Sequence, residues 1–486
     1  MGAVLMILAV GLTAQPAGAL PIPSVGLGGG EPEFIGRPAK PHPVKAPDVP
    51  RHPFMAKNGA SVIHNDAYQT DTYTRSGPLG RDIQITTTLQ AAECGSITFD
   101  TYGRIVTVCV GLQGPRLVMF DPVTLEPLST FLLPLRQFRD LNPSGLFSDF
   151  SGGGYFYLDN QNRAVLPTTN QHILVVAETG TKPGFRTVHD YKLGSAVHDD
   201  EGVTSVLPDW SGRLWFVGKR GSIGFVDPDT GQVQSIDTGE PVGNSFAVGD
   251  DGGVFVVTDA AMYRFDVSGS GKPKITWRER YANVGFKKPG QTEEGSGTTP
   301  TLMGKRYVAI TDNADPMKIV VYQRGKDVKG PRRVCTQPVF SKGASSTDQS
   351  LIGTGRSMVV ENNYGYAGLA TTLGGKTTEP GIERVDIDRD GRGCHTVWHN
   401  DSRAPSVVPK LSLANGLVYT YTKDPGDAND PWYLTALDFR SGKTIWRRLA
   451  GLSFGYNNNF APVSIGPDGA AYVGVIGGLV AFRDSR

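Results

Sequence analysis

From Asp82 onward, short runs of alternating apolar and polar residues, rich in Val, Ile, Thr, Tyr and Phe, are interrupted by Gly, Asp and Asn every several positions. Alternation with a period of two puts successive side chains on opposite faces of an extended strand, and Gly, Asp and Asn supply the turns between strands. The pattern is clearest over Asn244–Tyr281, where it predicts four strands at Phe246–Val248, Val254–Val257, Met262–Phe265 and Lys274–Arg278. The same order recurs at a period of roughly 45 to 55 residues, so one repeat is one four-stranded antiparallel blade. Repeats begin near Cys94, Tyr155, Val203, Ser245, Thr298, Ser346, Ser406 and Ala461, which predicts an all-β, eight-bladed β-propeller with no amphipathic helix. The last repeat supplies three strands, whereas Arg81–Gln90 is a spare strand ahead of the first. Pairing the N-terminal strand with the C-terminal blade closes the ring and removes the open sheet edges.

The N-terminal region divides by composition. Residues 1–19 read as a signal peptide: an apolar core from Val4 to Leu12 precedes Ala17-Gly18-Ala19, which places cleavage after Ala19, although a basic n-region is missing. The apolar run is shorter than the ~20 residues that span a bilayer. Residues 20–60 form a Pro/Gly-rich leader with little regular structure, lying on the domain or acting as a tether. Residues 61–80 are a polar segment that wraps the outer strands or caps the central funnel, the wrap being preferred, and 81–486 are the propeller. The 62 Gly and 34 Pro argue against a helical protein. With 48 basic and 47 acidic residues the formal charge is +1, which gives nucleic acid or an anionic membrane no bulk attraction. Four cysteines in an exported chain suit disulfides. Cys94 and Cys109 fall on neighbouring strands of one hairpin, and Cys335 and Cys394 each precede a blade end, so 94–109 with 335–394 is the pairing chosen among the three possible connectivities.

The stretch Ala436–Trp446, ALDFRSGKTIW, resembles the A-x-D-x-x-[TS]-G-K-x-x-W repeat of the quinoprotein dehydrogenases and their non-catalytic relatives, the PQQ-like propellers. Looser copies end in Trp277 and Trp398. The resemblance implies that each Trp packs on the neighbouring blade's backbone while Asp and Gly shape the turn. It also implies a candidate quinone cofactor, commonly held in that family by a vicinal cysteine pair, a Trp floor, and Glu, Asn and Asp ligands around calcium. No adjacent cysteines occur here. Glu361-Asn362-Asn363, with Asp312-Asn313 or Asp315, has the oxygen ligands that calcium prefers. The expectation is a member that does not bind PQQ, with a divalent cation such as calcium as the remaining cofactor candidate.

In a propeller the loops from strand d to the next strand a share a face with the loops from strand b to strand c, and residues from distant repeats converge there. On this face the d–a loops carry His198, Asp199, Glu201, Asn244, Glu293, Glu294 and Asn458. The b–c loops carry Asp312, Asn313, Glu361, Asn362 and Tyr364. Carboxylates, amides and a histidine around one funnel can coordinate a cation or supply a general base. The same residue types also satisfy turn backbones through Asx hydrogen bonds. Asp386–Gly391, DIDRDG, begins like a calcium loop, but Val397 stands where a bidentate Glu is needed, and the stretch reads as an outer-hairpin turn. His64-Asn65-Asp66 and His189-Asp190 are neighbours in sequence only, and no G-x-S-x-G elbow supports a Ser-His-Asp hydrolase. The expected protein is a secreted or cell-envelope monomer that binds a small polar molecule, a glycan or an extracellular protein at its acidic, amide-rich loop face. The alternatives are an extracellular metal-assisted hydrolase, lyase or isomerase acting in the funnel and, last, a quinone-dependent dehydrogenase.

Overall fold

The predicted strands of the middle repeat form at Ala247–Val248, Val254–Val257, Ala261–Val267 and Pro273–Arg280 in the computed structural model of the chain. The structure describes residues 19–24, 30–111, 113–135, 151–180 and 182–485, so the expected signal-peptide core lies outside the described residues. Eight blades follow in order, with innermost strands at Ala92–Phe99, Tyr157–Leu158, Val203–Pro208, Ala247–Val248, Thr301–Met303, Ile352–Thr354, Lys410–Ser412 and Val463–Ile465. These strands a are buried except at Gly95, whereas the strands d of blades 1 and 5, Pro127–Leu132 and Arg333–Pro338, have only half-buried and exposed positions. Blade 8 draws strands a to c from the C-terminus and its outer strand from Gln84–Leu89, which pairs antiparallel with Gly478–Arg483 from Gln84 opposite Arg483 to Leu89 opposite Gly478. Blade 6 starts later than Ser346 because Ser346, Thr347 and Asp348 are held in a loop by Asn362 and Asn363.

Aspartates set the turns. At the a–b turns of the first three blades, Asp100, Asp159 and Asp209 each accept two backbone N–H groups and pair with an arginine four residues on, Arg104, Arg163 and Arg213. At the c–d turn of blade 7, Asp438 accepts from the Ser441 N–H at 2.8 Å and its hydroxyl at 2.7 Å, and Gly442 takes φ +71°, a conformation that costs glycine little. Trp398 of blade 6 lies against that Gly442 and donates through Nε1 to Phe439 O of blade 7 at 2.9 Å. Trp277 of blade 4 lies between Phe255 and Tyr322 of blade 5, with the Arg332 guanidinium 4.5 Å from its ring centre. Trp446 is fully buried against Tyr419, Phe34 and Gly80, where the chain turns toward the closing strand. Disulfides join Cys94 to Cys109 within blade 1 and Cys335 to Cys394 across the outer strands of blades 5 and 6, the pairing read from the sequence.

The described residues of the leader lie against the propeller. Phe34–Gly36 adds a fifth strand outside blade 7, and the chain then crosses the a–b face, with Val44 bonded to Leu413, His52 against Trp210, and Ala56 bonded to Leu158. The following segment enters the central channel. Ser61 through Tyr73 are all buried. Their main chain and that of Ala60 meet the inner strands blade by blade: Ala60 O accepts from Phe99, Ser61 O from Leu158, Ala67 O from Val248, Tyr68 O from Leu302, Thr70 O from Gly353 and Asp71 O from Leu411. Arg75 completes the circuit by donating to Ile465 O of blade 8. The polar segment is therefore neither an outer wrap nor a cap on the loop face; it is an inner ring that fills the channel at its a–b end. Its polar side chains supply what a buried irregular backbone needs, as when Asn65 donates to Thr72 O at 2.7 Å and Asp66 accepts from the Tyr68 N–H at 2.9 Å. Asn65, Gln69 and Asp71 all have positive φ, strain that the surrounding blades must hold.

Candidate functional site

Above the inner ring the channel opens as a funnel toward the d–a loops. Its floor is Ile63 and His64 of the ring. Its walls include Glu93 at the start of blade 1, Tyr155 before blade 2, Asn244 before blade 4, Asp348 before blade 6 and Phe460 before blade 8. Val108, Val110, Val408 and Ala461 add apolar surface. Tyr155 donates its hydroxyl hydrogen to Asn244 Oδ1 at 2.9 Å, which leaves the amide of Asn244 oriented as a donor. Asn459 donates to Glu93 Oε2 at 2.9 Å. The Asp348 carboxyl is pushed up to about 7 by burial, against the hydrogen bonds from Thr292 that favour its ionised form. Phe460 has φ +69°, an outlier for a bulky residue, and its ring packs edge-on against Tyr366.

Beneath the floor lies a buried polar cluster. His64 Nδ1 is 3.1 and 3.2 Å from the two oxygens of Asp71 and 2.8 Å from Ser350 Oγ. Ser350 donates to Asp71 Oδ2, and Lys410 donates to Asp71 Oδ1 and to Ile63 O. The side chains of Lys410 and Asp71 are both fully buried. Burial alone would raise the Asp71 carboxyl, but the Lys410 cation and His64 outweigh it and hold it below the usual range. Burial lowers His64, with Asp71 opposing. Ser350 and Asp71 share the same ring nitrogen, so this is not the arrangement of a Ser-His-Asp triad, in which serine and carboxylate occupy opposite nitrogens.

Of the residues read as ligand-binding from sequence, Asn244 lines the funnel. His198 pairs with Asp237 at 3.1 Å, and Asp199 is exposed, its carbonyl facing Arg220. Glu201 is buried and accepts from the backbone N–H groups of His198, Arg220 and Ser222 and from the Ser222 hydroxyl, which makes it a loop staple. Glu293 and Glu294 lie beside Asp259, whose carboxyl is raised to about 7 by burial and then by their charge. Asp312 accepts from the N–H groups of Ala314 and Lys318 and is raised to about 6 by burial. Asn313 ties together Asn283, Phe286 and Glu294. Asn362 bridges Ala344 and Pro380 and accepts from the Tyr364 N–H, while Asn458 accepts from Ser406 and donates to Ala461 O. Glu361 is buried with Thr420 as its hydrogen-bond donor, and burial raises it well above the carboxylate range. Among the described residues, no three or more His, Cys, Asp or Glu side chains are grouped to hold a metal ion. His64, Glu93, Tyr155, Ser350 and Phe460 were not among the sequence candidates, because what marks them is their position along the channel.

Fold and site together define an eight-bladed β-propeller whose channel is filled at one end by its own N-terminal segment and open at the other. An uncharacterized protein of Archaeoglobus fulgidus is 28% identical over 374 residues, which cover 70% of this chain and 72% of that protein. No family model matches the chain. Among solved structures, it is similar to BamB from Moraxella catarrhalis, with a TM-score of 0.46 and 12% identity over 82% of this chain and 92% of that one. It is also similar to a streptogramin B lyase, with a TM-score of 0.41 and 10% identity over 83% of this chain and 98% of that one. Among the described residues, no helix is long and apolar enough to cross a membrane.

Proposed function

We propose that this protein binds a small polar ligand rich in hydroxyl groups, such as a glycan unit, in its central funnel. The observation that carries this reading is the convergence of His64, Glu93, Tyr155, Asn244 and Asp348, from five separate stretches of chain, on one concave space with apolar walls. The groups offered are chiefly acceptors, while the Lys410 ammonium below them is engaged by Asp71. This suits a neutral ligand that donates hydrogen bonds, and Phe460 offers the apolar face of a sugar ring a surface at the rim. A thermal-shift screen of neutral mono- and disaccharides, polyols and nucleosides tests the proposal. A hit should lose at least tenfold in affinity in Asn244→Leu; a hit indifferent to that change would contradict it.

The broader reading belongs to the same proposal. The packing of Trp398 and Trp277 on adjacent blades supports kinship with the PQQ-like repeat, without a quinone. Two disulfides support an extracytoplasmic location; removal of residues 1–19 and a monomeric state are part of the same proposal. Metal-assisted catalysis has less support, because Asp312 and Asn362 each hold their own loop and Glu361 is bonded by Thr420 of the next blade.

A further inference from the structure

The hydrogen bonds under the funnel floor decide which nitrogen of His64 carries a proton. Asp71 is held ionised by the buried Lys410, and a carboxylate only accepts hydrogen bonds. Ser350 has one hydroxyl hydrogen and directs it to Asp71. The proton between His64 and these two groups must therefore sit on Nδ1. In the neutral ring Nε2 then presents a lone pair. That atom is buried and has no hydrogen-bond partner in the protein, although its residue lines the funnel. Glu361 Oε2 is likewise buried without a partner, but Glu361 does not line this space. The groups around His64 are the Tyr155 ring, stacked at 6.2 Å, Asp71, Lys410 and Ser350, with Glu93 and Asp348 bordering the same funnel.

We propose that His64 Nε2 is a general base for a hydroxyl-bearing ligand in the funnel, which makes the funnel a site of proton transfer as well as of binding. The inference rests on the funnel being the ligand site. In the step, the ligand O–H bond breaks and an N–H bond forms at Nε2. The electron pair stays on the ligand oxygen, and the imidazolium charge falls against Asp71, as in other base-and-carboxylate pairs. Asp71 fixes the ring and its tautomer, and Lys410 is a positioning residue that keeps Asp71 ionised. Ser350 is on the wrong nitrogen to be activated as a nucleophile.

Diethyl pyrocarbonate, which acylates unprotonated imidazole nitrogen, tests this on the full chain, with peptide mass spectrometry to locate the adduct. Nitrogen-15 NMR of the histidine rings reads the tautomer. The expected result is an adduct on His64 at pH 6 to 7, in the native protein and in Ser350→Ala alike, with the Nδ1-protonated tautomer over the same range. An Nε2-protonated ring, or an unmodified His64 where the exposed His395 and His399 react, would overturn the proposal. A sugar hit weakened by Asn244→Leu together with an unreactive His64 would leave binding standing and remove the base. With no funnel-dependent hit in the screen, the reading beneath it would fall as well.

Discussion

Both ends of the channel carry buried polar residues, yet one end is filled and the other is open. At the filled end the donors of Asn65 and Gln69 go to main-chain oxygens of the ring itself, and Tyr68 is gripped by Asp250 and Arg324 of blades 4 and 5. At the open end the walls come from seven blades, and His64 engages the protein through Nδ1 while its buried Nε2 has no partner there. The difference teaches that residue type does not separate a ligand group from a structural one. The partner of each polar atom does, and that partner is often hundreds of residues away.

Breaking the filled end should have the largest effect. Lys410→Met leaves the buried Asp71 carboxylate without its cation and should cost about 3–5 kcal/mol in denaturant melts. Adding Asp71→Asn should recover much of that loss, since no uncompensated charge then remains. Trp446→Ala, which empties the space between Tyr419, Phe34 and Gly80, should cost a similar ~3–5 kcal/mol; a neutral melt would remove Trp446 from the account of how blade 7 meets the closing strand. Selective loss of the Cys335–Cys394 bridge through a double serine variant should cost about 2–4 kcal/mol and leave any funnel binding unchanged, because the bridge lies on the outer strands.

The smallest effect sharpens the open end. Asp348 is raised from 3.8 to about 7 in the folded protein, so between those values the native state binds more protons than the unfolded chain. Stability linked to this group is therefore full at acid pH and is lost as pH rises toward 7. Asp348→Asn, which stays neutral, should stabilise the protein at pH 8 by about 1 kcal/mol or more, and the gain should shrink toward pH 5. Melting temperatures of both proteins across that range check it; a pH-independent difference would show that the carboxyl is not desolvated as described.

The strands were legible because alternation and turn residues are local: four strands in the middle repeat, the spare strand at Arg81–Gln90, and the hairpin that brings Cys94 opposite Cys109. The inner ring was not. The polarity of Asn65, Asp66, Gln69 and Thr70 suits solvent and a buried irregular backbone equally well, and nothing in the segment distinguishes the two. His64 was legible as a residue next to Asn65-Asp66, but its partners are Asp71, seven positions on, and Ser350, 286 positions on, and Asp71 meets a lysine 339 positions away. The carboxylates and amides chosen for the loop face include Glu201, Asp312, Asn313 and Asn362, which hold their own loops through backbone hydrogen bonds. That Asx-type use was the competing reading of the same letters.

The central claim is that the funnel is where this protein meets its ligand, and a crystal structure with the best sugar or polyol from the thermal-shift screen tests it most directly. The account predicts ligand density above His64, within hydrogen-bond reach of Nε2 and of Asn244. Density confined to the outer loops around Asp312, Glu361 or His198, with an empty funnel, would contradict it.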